Sequence, residues 1–179
     1  MKKSILTLGT ALAFLTLSPL TAQAQQAMHN PNAIEWDMRG GDKKIKLIEA
    51  DTPSGHAISA YVKKRKTNPW DTTLFFDLDK GVEKGDRVSV ELWVRTAKAP
   101  KSQENAEFVL YVGRNEEPWD RIISEDVLPG SEWEKLTIEG VSEGYYPKGE
   151  VKVEFQLAKY KQTLEFGPIL VKNLGPATN

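Results

Sequence analysis

The chain has no cysteine and only two histidines in 179 residues. Without thiols there are no disulfides, no thiolate metal sites and no cysteine nucleophile. His29 and His56 alone could serve a serine–histidine relay, and His29 falls in a polar, turn-rich stretch. A zinc site would need both, plus carboxylates, so no metal is expected. Charge of one sign is also lacking: 24 Lys and Arg stand against 25 Asp and Glu. That balance offers no electrostatic footprint for nucleic acid or an anionic membrane. Catalytic signatures are missing too, with no Gly-x-Ser-x-Gly elbow, phosphate loop or dinucleotide fingerprint.

Long apolar runs are confined to the N-terminus. Lys2 and Lys3 precede an apolar stretch from Ile5 to Leu17, Pro19 breaks it, and Ala22-Gln23-Ala24 supplies a small-x-small cleavage site. Residues 1–24 therefore read as a secretory signal peptide, and the product is expected in the periplasm or outside the cell. No cysteine follows the cleavage site, so no lipid anchor is expected. No later stretch reaches the roughly 18 apolar residues that a membrane span needs, so no membrane insertion is expected. Residues 25–34 read as a flexible lead-in, 35–175 as one domain and 176–179 as a tail.

What is there is period-two alternation. Asp86–Arg95 places Val88, Val90, Leu92 and Val94 on one side, and Ser89, Glu91, Trp93 and Arg95 on the other. Successive side chains of a strand point to opposite faces. The same pattern recurs in Lys43–Glu49 (Ile45 and Leu47 inward), Ala57–Val62, Thr72–Leu78, Ala106–Gly113, Arg121–Val127, Trp133–Glu139, Val151–Leu157 and Thr163–Val171. Gly, Pro, Asn and Asp turns separate these runs, and none shows a sustained helical stripe. The expected fold is all-β, two stacked antiparallel sheets in a jelly-roll sandwich.

Several motifs in order resemble the CenC-type jelly-roll carbohydrate-binding modules found attached to xylanase-type glycoside hydrolases. They are Asn68-Pro69-Trp70-Asp71, Gly85-Asp86-Arg87 leading to Leu92-Trp93-Val94-Arg95, and Ser131-Glu132-Trp133-Glu134-Lys135. Tyr146-Pro147-Lys148-Gly149-Glu150 and Gln162-Thr163-Leu164-Glu165-Phe166 complete the set. The resemblance covers about residues 35–175 and implies a galactose-binding-like sandwich that binds polysaccharide. Many such modules hold a structural calcium with an Asp in the last strand. The matching stretch here reads Phe166-Gly167-Pro168, so no cofactor, calcium included, is expected there.

The outward faces supply candidate ligand contacts. They are Glu91, Trp93 and Arg95, then Tyr111, then Glu154 and Gln156, with Trp70 in a Pro-fixed loop. If their strands share a sheet, one surface carries rings among carboxylates, an amide and a guanidinium. Rings suit the apolar C–H faces of a sugar, and the polar groups suit its hydroxyls. Trp93 has an alternative, a loop that caps it. Trp70 and Trp119 have another, as plugs over the end of the sandwich. Trp133 reads as core. Glu91, Glu107 and Glu154 could form a glycosidase pair, but nothing else supports catalysis. The expected function is non-catalytic binding of a poly- or oligosaccharide. The alternatives are an envelope protein–protein interaction module or, less favoured, a glycoside hydrolase.

Overall fold

Alternation in the sequence becomes eleven antiparallel strands in two sheets of a computed structural model, which describes residues 25–41 and 43–177. The expected signal peptide lies outside the described residues. The first sheet runs β3 (Lys43–Glu49), β4 (His56–Val62), β11 (Gln162–Pro176), β6 (Asp86–Lys98), β9 (Glu134–Val141), and β1 (Gln26–Ala27) also pairs with β11. The second runs β2 (Asp37–Arg39), β5 (Thr73–Asp77), β10 (Val151–Gln156), β7 (Phe108–Arg114), β8 (Arg121–Val127). The all-β sandwich expected from the alternation is what forms. From β4 to β11 the chain crosses between sheets at every connection except the hairpin β7–β8.

The inward faces meet in one apolar core. Val88, Val90, Leu92 and Val94 of β6 are all buried to within 1%. They face Leu110 and Val112 of β7 and Val153 and Phe155 of β10 across the sandwich. Phe155 and Phe166 sit 4.6 Å apart between ring centroids, and Phe108 meets both edge-on. In β11 a bulge between Phe166 and Ile169 inserts one residue opposite β6. It changes the phase of the strand, so Leu164 and Phe166 point inward before it and Ile169 and Val171 after it.

Two expectations are corrected. Ile45 and Leu47 were expected inward but are 40% and 68% exposed. Strand β3 is the margin of its sheet, and its inward side overhangs the covered core. Residues 25–34 are not a flexible lead-in. Met28 is fully buried, donates its N–H to Val171 and accepts one from Asp79. The Nε2 of His29 accepts the Val171 N–H at 3.1 Å, and its ring lies 5.1 Å from Phe76. The Met28 backbone bonds and the His29 ring hold this short strap over the core.

Burial holds the His29 imidazole below its ordinary pKa. Protons therefore bind the unfolded chain better, so stability is complete above about pH 6.5 and falls as pH drops through that value. The urea midpoint of the wild type is expected to fall between about pH 7.5 and 5.5. In His29→Gln, whose amide can still accept the Val171 N–H, the midpoint is expected to stay flatter over that window. A wild type as flat as the variant would refute the assignment.

Candidate functional site

The seven candidate contacts fall on opposite outer surfaces. Glu91, Trp93 and Arg95 belong to β6 in the first sheet, while Tyr111, Glu154 and Gln156 belong to β7 and β10 in the second. The expectation that they share one surface is corrected by that crossing. The β6 residues are engaged within their own sheet. Arg95 donates to Glu165 at 2.7 Å, and its guanidinium lies 4.9 Å over the Trp133 ring. Trp133, expected in the core, is half-buried beneath it. Lys135 bonds one Glu91 oxygen at 2.6 Å and Lys172 bonds the other. These two lysines hold the Glu91 carboxyl below the usual carboxylate range. Trp93 is half-buried beside Gly167, where an added Cβ would stand 2.9 Å from the Trp93 Cβ and 3.0 Å from Thr52 of the β3–β4 turn.

The second sheet's outer surface is organised by register. One row across the strands reads Arg39, Thr73, Gln156, Val109, Asp126. The next reads Asp37, Phe75, Glu154, Tyr111, Ser124, and a third brings Lys152 beside Gly113 and Arg121. Most of these side chains border a groove of about 830 Å³. Its floor is unusual for an outer surface, because Lys152 and Glu154 are only 5% and 6% exposed. They bond each other, and Gln156 donates to the second Glu154 oxygen at 3.0 Å. The Lys152 ammonium lies 5.4 to 5.9 Å from the ring centroids of Trp119, Tyr111 and Phe75. A buried cation is tolerated where a paired carboxylate and ring faces surround it.

Tyr111 contributes its ring to the floor and its hydroxyl to the wall. The hydroxyl reaches the carbonyls of Arg114 and Asp120, each at 3.0 Å. Burial, with the nearby Glu154 carboxylate, pushes its pKa up to about 12. Gly113 lets this loop close: a Cβ there would meet the Asp120 carbonyl at 2.4 Å.

Two exposed indoles stand at opposite margins along the strand direction. Trp70 follows Pro69 in a single helical turn just before β5. Asp71 accepts the Asn68 N–H at 3.1 Å, and the Pro69 and Thr72 carbonyls accept N–H groups from Ala158 and Leu157. Trp119 follows a cis Glu117–Pro118 bond and holds a left-handed φ of 58°. Arg114 braces its loop, donating to Asp120 at 2.9 Å and to the Tyr145 carbonyl at 3.1 Å. Trp70 and Trp119 are 58% and 51% exposed, both on the groove. Exposed rings held in place by backbone bonds lose little entropy on binding.

The structure thus brings together Trp70, Tyr111, Glu154 and Gln156. It adds Arg39, Trp119, Arg121 and Lys152, none of them among the seven residues expected from the sequence. Lys152 had a visible signal, the outward phase it shares with Glu154 and Gln156. Arg39 had none, because β2 is too short for alternation to define a face.

This surface is the frame for the comparisons with known proteins. A family model described as "Carbohydrate binding domain" matches residues 28–160. No curated protein matches the chain by sequence. Among solved structures, a CBM4 module superposes with a TM-score of 0.60 at 17% identity, covering 77% of this chain and 94% of that one. The second N-terminal cellulose-binding domain of Cellulomonas fimi β-1,4-glucanase C gives 0.58 at 16% identity, covering 80% and 86%. The CBM22-1 xylan-binding domain of Paenibacillus barcinonensis Xyn10C gives 0.55 at 12% identity, covering 86% and 95%. At such identities the superpositions speak for the fold alone, while the family match spans most of the chain. The chain belongs to that carbohydrate-binding domain family.

Proposed function

We propose that the second-sheet groove binds a single polysaccharide chain, without catalysis, in a protein that is exported. The observation that carries this is the pair of exposed indoles, Trp70 and Trp119, at the margins of a polar, hydrogen-bonding floor. A pyranose ring presents apolar faces to such indoles and an equatorial belt of hydroxyls to Glu154, Gln156 and Lys152. Fold neighbours named as xylan-binding and cellulose-binding domains support a xylan-like or cellulose-like backbone. The Lys2, Lys3 and Ile5–Leu17 pattern supports export.

Absence of catalysis is part of the proposal. A glycosidase needs two carboxyls flanking one bond, one of them free to donate a proton. Glu91 and Glu154 lie on different sheets, and the Glu107 carboxylate is bonded by Lys159. Glu154 is bonded by Lys152 and Gln156. Reducing-sugar release from xylan or cellulose is expected to be nil.

Titration calorimetry with xylohexaose and cellohexaose tests the site. Losing one stacked indole removes about 1–2 kcal/mol, so Trp70→Ala and Trp119→Ala are each expected to weaken binding about 5- to 30-fold. Trp93→Ala, on the other sheet, is expected to lower the melting temperature and leave affinity unchanged. If Trp93→Ala abolished binding while Trp70→Ala and Trp119→Ala did not, the groove would be the wrong surface.

Tyr111 separates ring from hydroxyl. Tyr111→Phe keeps the floor ring but frees the Arg114 and Asp120 carbonyls that fix the Trp119 loop. Affinity is expected to fall several-fold with faster proteolysis in residues 114–120. Because the hydroxyl pKa is about 12, wild-type affinity is expected to show no tyrosine ionisation step up to about pH 10.5.

A further inference from the structure

The cations around the groove are not equivalent. Lys152 is bonded to Glu154 inside it. Lys159 bonds Asp126 at 2.7 Å and also Glu107. These two lysines and the groove's two carboxylates, Glu154 and Asp126, therefore satisfy one another. Arg39 and Arg121 line the same groove and pair with no carboxylate among the described residues. Both are exposed. Arg39 lies over Phe75, its guanidinium carbon 4.2 Å from the ring centroid. A guanidinium can grip a carboxylate with two parallel hydrogen bonds. Asp37 and Asp77 stand on the same face of the sheet but outside the groove.

The two arginines also lie at opposite ends of the site. Arg39 is on β2 and Arg121 on β8, the two edge strands of a five-stranded sheet. Four inter-strand steps, about 19 Å, separate them across the sheet, and they stand two rows apart along the strands. Arg39 pairs with Thr73, three residues after Trp70, and Arg121 follows Trp119 by two residues, so a sugar chain running diagonally over the floor from one indole to the other would reach both. The uncompensated charge is therefore placed along a polymer, not around one sugar.

We infer that the ligand is an acidic polysaccharide, one whose sugar backbone carries uronic-acid carboxylates, and that Arg39 and Arg121 read those carboxylates at the two ends of the groove. This rests on the glycan reading of the same groove and names its substrate class. It departs from a neutral ligand, whose hydroxyls could accept from both guanidinium groups but would leave their charge unpaired.

Three probes separate the outcomes: xylohexaose, a xylo-oligosaccharide of the same backbone length bearing a glucuronic acid branch, and oligogalacturonate. An exposed charge pair contributes up to about 1 kcal/mol, so the branched acidic xylo-oligosaccharide, with its one carboxylate, is expected to bind up to about fivefold tighter than xylohexaose. That preference should shrink between about 50 and 500 mM salt. Arg39→Gln and Arg121→Gln should each bring the acidic-to-neutral affinity ratio toward one, and the double variant should abolish the preference. Tight, salt-sensitive binding of oligogalacturonate with no binding of either xylo-oligosaccharide would support the acidic class and overturn the xylan-like backbone. Equal affinity for the neutral and acidic xylo-oligosaccharides, with none for oligogalacturonate, would overturn this inference and leave the glycan reading intact. Silence toward all three would overturn both.

Discussion

The bond between Lys152 and Glu154 is the constraint around which the second sheet's outer surface is arranged. Strand β10 lies at the centre of that sheet and is buried on both sides. Its inward residues need only be apolar. Its outward residues are charged and nearly inaccessible, so each must be neutralised where it stands. Removing one partner of such a pair strands the other, at a cost of about 3–5 kcal/mol. The pair therefore holds Lys152 among three rings and presents Glu154 to Gln156. The groove floor is polar and yet rigid for this reason.

Around that floor, rigidity comes from backbone hydrogen bonds at the ends of strands. Trp70 is held by a Pro-started turn tied to residues 157 and 158, just past β10. Trp119 is held by a loop whose base is braced by the Tyr111 hydroxyl and the Arg114 guanidinium. Strand β10 thus anchors the floor directly and the Trp70 margin through its continuation. The first sheet has its own charge network, Arg95 with Glu165 and Glu91 with two lysines. That network spends its polar groups on one another. The second sheet leaves indoles, an amide and two guanidinium groups facing outward, and this difference is why the proposed site lies on that face.

The strands and their inward faces were readable because alternation is a local property. Val88, Val90, Leu92 and Val94 announce a core face with no knowledge of neighbours. The Pro-fixed Trp70 and the outward Glu154 and Gln156 were readable on the same terms. The overhang of Ile45 and Leu47 was not, since being at a sheet's margin is not a property of β3 itself. Nor was the strap at Met28 and His29, both of which bond Val171 in β11, more than a hundred residues away.

From the sequence alone came an all-β sandwich, a signal-like N-terminus and outward residues suited to sugars. Only the tertiary structure decided which outward residues meet. Glu91, Trp93 and Arg95 carry the same local pattern as Tyr111, Glu154 and Gln156, but β6 and β7 go to different sheets. Alternation fixes which side of its own strand a residue faces. Sheet membership depends on pairings between distant strands, and those pairings turned the candidate that looked strongest in the sequence, Trp93, away from the groove.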